Sequence, residues 1–337
     1  MSSPKSVAVV GATGAVGSEM IRCLEQRQFP IRELHLLASA ASAGKTARFQ
    51  DRDLTMKALD GFDFAGVDVA LLAVEADVAK ETAERAVRAG TLVIDNSSAF
   101  RMDPAVPLVV PEVNGALLDA RPRIVANPNC VAAIMTVALA PLAGLAHITR
   151  INAATYQAAS GAGLPAMREL EESTRAYLDG RPFEPRVLPH PYAFNFFSHN
   201  TPIDPETGYN GEETKVIKEV RRIMDRADLR VSATCIRVPV LRAHGIAMSV
   251  EFDAVVTPAA ARAALAAAPG LRLVDDAAGN RFPMPIEASG ADDVLVGRIR
   301  ADLSDPDGKT LALFVCGDQL LKGAALNAVQ IAERLAV

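Results

Sequence analysis

Cys130 follows Asn127-Pro128-Asn129 and opens an apolar run of helical length. Ile124-Val125-Ala126 reads as the strand before it, and residues 131–140 as a helix closed by Pro141. A thiol there sits at the positive end of the helix dipole, among unpaired N–H groups that favour thiolate. Thiolate is the form that attacks an acyl carbon, so the chemistry suggested is covalent acyl transfer. A small buried cysteine in a plain strand–turn–helix connection has the same local sequence. Partner residues must therefore decide.

Three polar clusters downstream offer such partners. Tyr156-Gln157-Ala158-Ala159-Ser160-Gly161 ends a strand in a turn of small residues, where the Gln157 amide can orient a substrate or simply close a loop. Glu212 and Lys215 lie three apart on one face of a helix, a spacing that usually gives a solvated ion pair. Arg237 and His244 bracket Val238-Pro239-Val240-Leu241-Arg242-Ala243. An imidazole titrating near neutrality is a ready acid–base group, though a structural histidine fits the same pattern. His190 and His199 fall in a Pro- and Asn-rich loop and receive no role.

The elements that position these groups fall into two styles. The first half alternates strands (7–10, 34–38, 67–73, 91–95, 123–126) with helical patterns, which predicts a doubly wound parallel sheet. Gly11-x-x-Gly14-x-x-Gly17 follows the first strand and opens a helix, as a dinucleotide-binding turn requires. Leu37-Ala38-Ser39, ending the second strand, carries no acidic residue for a ribose hydroxyl. Ser39, Ser42 and Lys45 suit a 2′-phosphate instead, so NADP is expected, with NAD as the alternative. The second half reads as a mixed α+β domain, with long strands at 148–157, 232–238, 247–256, 293–301 and 310–315. The expected division is a dinucleotide-binding domain over 1–127, completed by a C-terminal helix over 318–337, and a catalytic and dimerisation domain over 128–317.

Composition bounds the function. A chain of 337 residues with net charge −5 lacks the basic footprint of a nucleic-acid binder. Its four cysteines form no CxxC pair, which argues against a zinc site or disulfide framework and fits a reducing, cytoplasmic setting. The apolar stretch from Cys130 to Ala146 is broken by Thr136, Pro141 and Gly144, so it reads as a buried helix and no membrane partner is expected.

Taken together, the motifs resemble the aspartate-β-semialdehyde dehydrogenase family along nearly the whole chain. They are Gly11 to Gly17, Asp95-Asn96-Ser97-Ser98-Ala99-Phe100-Arg101, Val109-Val110-Pro111-Glu112-Val113-Asn114, Asn127 to Cys130, Gln157 to Gly163, Gly208-Tyr209-Asn210 with Glu212 to Lys215, Arg237 to Val240 with His244, and Lys322 to Ala325 with Asn327. The resemblance implies Cys130 as nucleophile, His244 as acid–base group and Gln157 as the orienter of the acyl intermediate. It implies Glu212 and Arg237 at the substrate's amino and carboxylate ends, and Arg101 and Lys215, with Asn129, at phosphate. Cofactor contacts would come from Gly11, Thr13, Gly14, Ala15, Val16, Ser39, Ser42, Ser160, Gly161 and Gln319. The implied reaction reduces an acyl phosphate with NADPH through a thioester and a hemithioacetal, in amino-acid biosynthesis, without a metal. The implied assembly is a homodimer or homotetramer. Departures cluster on the cofactor side: Ala41 where the family often has arginine, Glu75-Ala76-Asp77 in a turn usually rich in glycine, and Asp318-Gln319 in place of Asp-Asn. The alternatives are a paralogue acting on another semialdehyde or acyl thioester, and a non-catalytic binding or regulatory protein on the same fold.

Overall fold

In a computed structural model that describes residues 3–336, the chain forms two compact units, one through Pro128 and from Ala324 onward, the other Asn129–Gly323. The first unit contains β1 (Lys5–Val10), α1 (Ala15–Gln26), β2 (Ile31–Ala38), β3 (Thr46–Phe49), β4 (Arg52–Thr55), β5 (Lys57–Ala58), β6 (Val69–Leu72), α2 (Ala76–Arg88), β7 (Leu92–Asp95), α3 (Pro111–Asn114) and β8 (Ile124–Ala126). Six of these strands make a parallel sheet in the order β5-β2-β1-β6-β7-β8. Val7 to Val10 are buried throughout, as continuous apolar strands covered on both faces must be. Helix α1 turns Met20, Ile21 and Leu24 inward, and α2 turns Ala79, Ala83 and Ala86, one stripe at helical spacing.

The β3–β4 hairpin has no counterpart in the sequence reading. Its strands are four residues each and mostly exposed, and only β3 alternates polar with apolar residues, too briefly to stand out. Its turn, Gln50-Asp51, adopts positive φ at both residues (46° and 63°), a geometry usually signalled by Asn-Gly.

The second unit contains α4 (Cys130–Ala143), β9 (Ile148–Gln157), α5 (Gly163–Leu178), β10 (Phe197–Ser198), α6 (Gly211–Ile223), β11 (Arg230–Arg237), β12 (His244–Phe252), α7 (Pro258–Ala267), β13 (Leu271–Leu273), α8 (Pro285–Ala288), β14 (Val294–Ala301) and β15 (Thr310–Gly317). Its strands form one mixed sheet, β10-β11-β9-β12-β15-β14-β13. Helix α4 runs through Pro141 to Ala143, two residues past the expected stop, because a proline in the last turn costs only one backbone bond. The chain then returns to the first unit through α9 (Leu326–Ala336).

The return begins at Ala324, six residues later than the expected 318. Side chains explain the shift. Buried Asp318 accepts from Arg242 Nε and from the Gly290 amide, both at 2.6 Å, and Gln319 accepts from the Ala243 amide at 3.0 Å. These bonds tie 318–323 to the second unit.

The three glycines of the first turn differ in what fixes them. A Cβ on Gly11 would lie 2.2 Å from the Ala73 carbonyl oxygen, and one on Gly17 would lie 2.1 Å from that of Gly11. A Cβ on Gly14 would make only an ordinary 3.4 Å contact. Gly17→Ala should therefore lower stability by about 1–3 kcal/mol, while Gly14→Ala stays within about 1 kcal/mol of the parent. Urea midpoints of the two variants check this; equal losses would contradict it.

Candidate active site

The register of the second sheet gathers the site. Parallel strands β9 and β11 end together, with Arg237 opposite Gln157. Antiparallel β12 starts at that same end, with Gly245 opposite Tyr156, and His244 faces Gly317 of β15. Three strands thus deliver Gln157, Arg237 and His244 to one end of the sheet. Cys130 enters as the first residue of α4, whose N-cap, Asn129, accepts from the Val131 and Ala132 amides. Two glycines let the chain after β15 run close to α4: a Cβ on Gly317 would lie 2.8 Å from Ile134, and one on Gly323 would lie 2.8 Å from the Cys130 Cβ.

Hydrogen bonds join these groups into one network. Glu212 Oε1 accepts from Asn129 Nδ2 at 2.8 Å and from Gln157 Nε2 at 3.2 Å, while Lys215 Nζ stands 4.0 Å from its other oxygen. The ordinary expectation of a solvated Glu212–Lys215 pair fails here, because Glu212 is buried against the Cys130 turn while Lys215 stays partly exposed. The Ala158 backbone serves both remaining groups. Its N–H donates to His244 Nδ1 at 3.0 Å, and its carbonyl accepts from Arg237 Nη1 at 3.2 Å.

Sequence reasoning passed over three residues. Glu219 accepts from the Asn129 amide at 2.6 Å, and its spacing of two helical turns from Glu212 is the signal that could have found it. Glu213 completes a capping box with Asn210 and accepts from the Cys235 amide at 2.9 Å. His199 lies 2.8 Å from Arg237 Nη2; nothing in its loop sequence signals this.

Burial sets the electrostatics. His244 is fully enclosed, and burial, then Arg237 and His199, hold its pKa well below the usual histidine range. Since Nδ1 accepts from an amide, the neutral ring carries its proton on Nε2, a buried nitrogen with no partner among the described residues. Burial raises the pKa of Glu212, but His199, the Asn129 amide, Lys215 and the Gln157 amide outweigh it and keep the carboxyl below its ordinary value. Burial pushes the Cys235 and Cys316 thiols up to about 12, which leaves them inert. Cys130 is the half-buried cysteine, and all four are free of disulfides.

Gly161 lies against the same space. A Cβ there would come within 3.0 Å of Arg237 Nη1 and 3.1 Å of His244 Nε2, so the missing side chain keeps both atoms open. Ser160 and Gln319 are buried and hydrogen-bonded to each other, with the Gln319 carbonyl taken by the Ala243 amide.

In the first unit the glycine turn suits a dinucleotide. Gly14 caps α1 without a side-chain bond, no acidic residue occupies the helix's first turn, and the space beside Gly14 is open. Thr13, Ala15 and Val16 complete this turn. A neighbouring cavity is lined by Ala12, Thr13, Arg22, Glu25, Lys45 and Arg48, among others. Ser39, Ala41 and Ser42 follow β2, where Lys45 donates to Ser42 Oγ at 3.2 Å. Glu75 and Asp77 are exposed at the start of α2. Arg101 is buried, with Nε donating to the Asn127 carbonyl at 2.9 Å and Nη2 to that of Asn96 at 2.8 Å. Among the described residues no group of three or more His, Cys, Asp or Glu side chains is placed to hold a metal ion, and no helix is long and apolar enough to cross a membrane.

Family models match both halves of the chain. Residues 6–120 match the semialdehyde dehydrogenase NAD binding domain, and residues 139–322 the semialdehyde dehydrogenase dimerisation domain. Aspartate-semialdehyde dehydrogenase of Synechocystis sp. is 51% identical over 335 residues, covering 99% of this chain and 98% of its own. That of Bacillus subtilis is 43% identical over 337 residues, covering 98% and 96%. Vibrio cholerae aspartate semialdehyde dehydrogenase II, solved in complex with ASA, superimposes with a TM-score of 0.95 at 40% identity over 99% of this chain and 98% of that one.

The His244 assignment is directly measurable. Long-range ¹H–¹⁵N spectra of histidine-labelled protein at pH 7 should show this ring neutral and protonated on Nε2. A cationic ring, or one protonated on Nδ1, would contradict it.

Proposed function

The chain belongs to the aspartate-semialdehyde dehydrogenase family, and from that premise we propose that it interconverts aspartyl-β-phosphate with aspartate-β-semialdehyde and phosphate, through a thioester on Cys130, with NADP. The observation that carries this reading is the convergence of Gln157, Arg237 and His244 at one end of the sheet, where Glu212 joins Gln157 to the Asn129–Cys130 turn.

Each residue has chemistry that suits its part. The Cys130 thiolate attacks the acyl carbon, the bond to phosphate oxygen breaks, and a thioester forms. His244 Nε2–H faces the opening left by Gly161 and donates to the acyl oxygen and to the oxyanion that follows, much as a neutral imidazole polarises a carbonyl in other enzymes. Proton exchange with that oxygen passes through the same nitrogen. Gln157 fixes the acyl group from beside the nucleophile's turn. The Arg237 fork takes the substrate carboxylate and the Glu212 carboxylate its ammonium group. Lys215 and Arg101, with Asn129, supply charge and hydrogen bonds to phosphate. Gly11, Thr13, Gly14, Ala15 and Val16 would hold the pyrophosphate of NADP, and Ser39, Ser42 and Lys45 its 2′-phosphate; the bound cofactor would supply the hydride carrier. We assign Ser160, Gly161 and Gln319 to the nicotinamide.

The active assembly we propose is a homodimer, in a cytoplasmic setting. The second unit's sheet turns Arg150, Asn152 and Tyr156 outward on β9, with Phe314 of β15 beside Tyr156 at 6.2 Å between ring centroids. A mixed polar and aromatic sheet face of this kind suits a second copy of the chain.

Phosphate-dependent reduction of NADP by aspartate semialdehyde tests the reading. Cys130→Ser should lower kcat by about 10,000-fold or more; substantial residual turnover would overturn the mechanism. Calorimetry should show NADP binding more tightly than NAD, with Gly14→Ala weakening NADP by about tenfold or more, 1.4 kcal/mol, without loss of fold. Unchanged affinity in that variant would place the dinucleotide elsewhere.

A further inference from the structure

His199 belongs to a loop that the sequence leaves without a task, yet both nitrogens of its ring have partners. The residue continues the short β10–β11 pairing: Phe197 lies opposite Arg237, and the His199 amide donates to the Cys235 carbonyl at 2.9 Å. The ring is thereby set beside the Arg237 guanidinium, with Nε2 2.8 Å from Nη2 and Nδ1 3.3 Å from Thr201 Oγ1.

The donor inventory fixes the direction of every bond in this chain. A guanidinium only donates, so His199 Nε2 is the acceptor and must be unprotonated. The ring proton therefore sits on Nδ1 and is given to Thr201 Oγ1. That hydroxyl donates onward to Asn210 Oδ1 at 3.4 Å and accepts from the Glu212 amide at 3.0 Å. Asn210 is the N-cap of α6, accepting from the Glu212 and Glu213 amides. A continuous relay thus runs from Arg237, through His199 and Thr201, to the cap of the helix that carries Glu212.

The count of donors on Arg237 shows what this arrangement leaves open. Of its five N–H groups, Nε donates to Asn200 Oδ1 at 3.4 Å, one on Nη1 to the Ala158 carbonyl, and one on Nη2 to His199. One N–H remains on each terminal nitrogen, a pair that a carboxylate can bridge. Arg237 is 4% exposed, so these directions are held by protein and not by water.

We infer that His199 is a positioning residue: as the Nδ1–H tautomer it fixes the guanidinium that receives the substrate carboxylate and locks its position to that of Glu212. This inference rests on the substrate reading above and adds a residue to it. The ring's surroundings favour the required neutral form. Burial and then Arg237 lower the His199 pKa to about 4, against Glu212, which raises it, and with Lys215, which lowers it; His244 is the other titrating group nearby. A protonated Nε2 would set one donor against another and place two cations side by side.

Two variants of the full-length enzyme separate positioning from general structure. His199→Leu removes the acceptor and the donor, whereas His199→Gln retains an amide oxygen for Arg237 and an N–H for Thr201. His199→Leu should raise KM for aspartate semialdehyde by about tenfold or more, with kcat, KM for phosphate and Kd for NADP within about twofold; His199→Gln should stay within about threefold of wild type throughout. An unchanged KM in His199→Leu, equal losses in every constant, or a glutamine variant no better than leucine would overturn the inference. If His199→Leu does not fold, the glutamine variant and the histidine ¹⁵N spectrum of the wild type decide. A neutral ring protonated on Nδ1 supports the relay, and one protonated on Nε2 ends it. Because the spectrum needs no turnover, it judges His199 even if the wild type fails to use aspartate semialdehyde, a failure that would overturn the substrate reading instead.

Discussion

The backbone of Ala158 is the pivot of the site. Its N–H donates to Nδ1 of His244 and its carbonyl holds one arm of Arg237, so two side chains from two strands are aimed by a single residue at the end of a third. Backbone groups at a strand end have unspent hydrogen-bonding capacity, and here both go to side chains instead of water. The consequence is chemical. An imidazole that accepts at Nδ1 presents N–H at Nε2, and a guanidinium anchored on one arm and at His199 presents the remainder of its fork. Register does the rest, since β9, β11 and β12 can place their ends together only in the pairing observed.

The nucleophile's turn depends on buried carboxylates from α6. Glu219 takes the Asn129 amide, and Glu212 takes the Asn129 side chain. Buried charges of this kind are tolerated when each oxygen has a donor, and breaking one partner leaves the other exposed to the full desolvation cost, of order several kcal/mol. The close approach at Gly323 adds a steric constraint, since any side chain there would press on Cys130. The turn is held from both directions.

Much of this was legible in the sequence, for physical reasons that differ by region. Continuous apolar strands such as Val7 to Val10 and the glycine turn announce a parallel, nucleotide-type sheet, because burial on two faces leaves a strong signal. Cys130, Gln157, Arg237 and His244 stand at element ends, where polar side chains in small-residue surroundings attract notice. His199 and Glu219 did not, because their significance lies in partners far along the chain, 38 and 90 residues away. The Glu212–Lys215 spacing pointed to a surface pair, since spacing along one helix says nothing about what a second element lays over it. The β3–β4 hairpin escaped for the opposite reason, as a polar ribbon whose turn lacks the usual residues.

The central claim is that Cys130 carries the acyl group while side chains at the strand ends hold its oxygen and its two ends. Incubating the protein with aspartate semialdehyde and NADP in the absence of phosphate, followed by acid quench and peptide mass spectrometry, tests it most directly. The account predicts an aspartyl thioester on the Cys130 peptide that disappears when phosphate is added before the quench. Absence of the adduct, or its appearance on Cys23, Cys235 or Cys316, would contradict it.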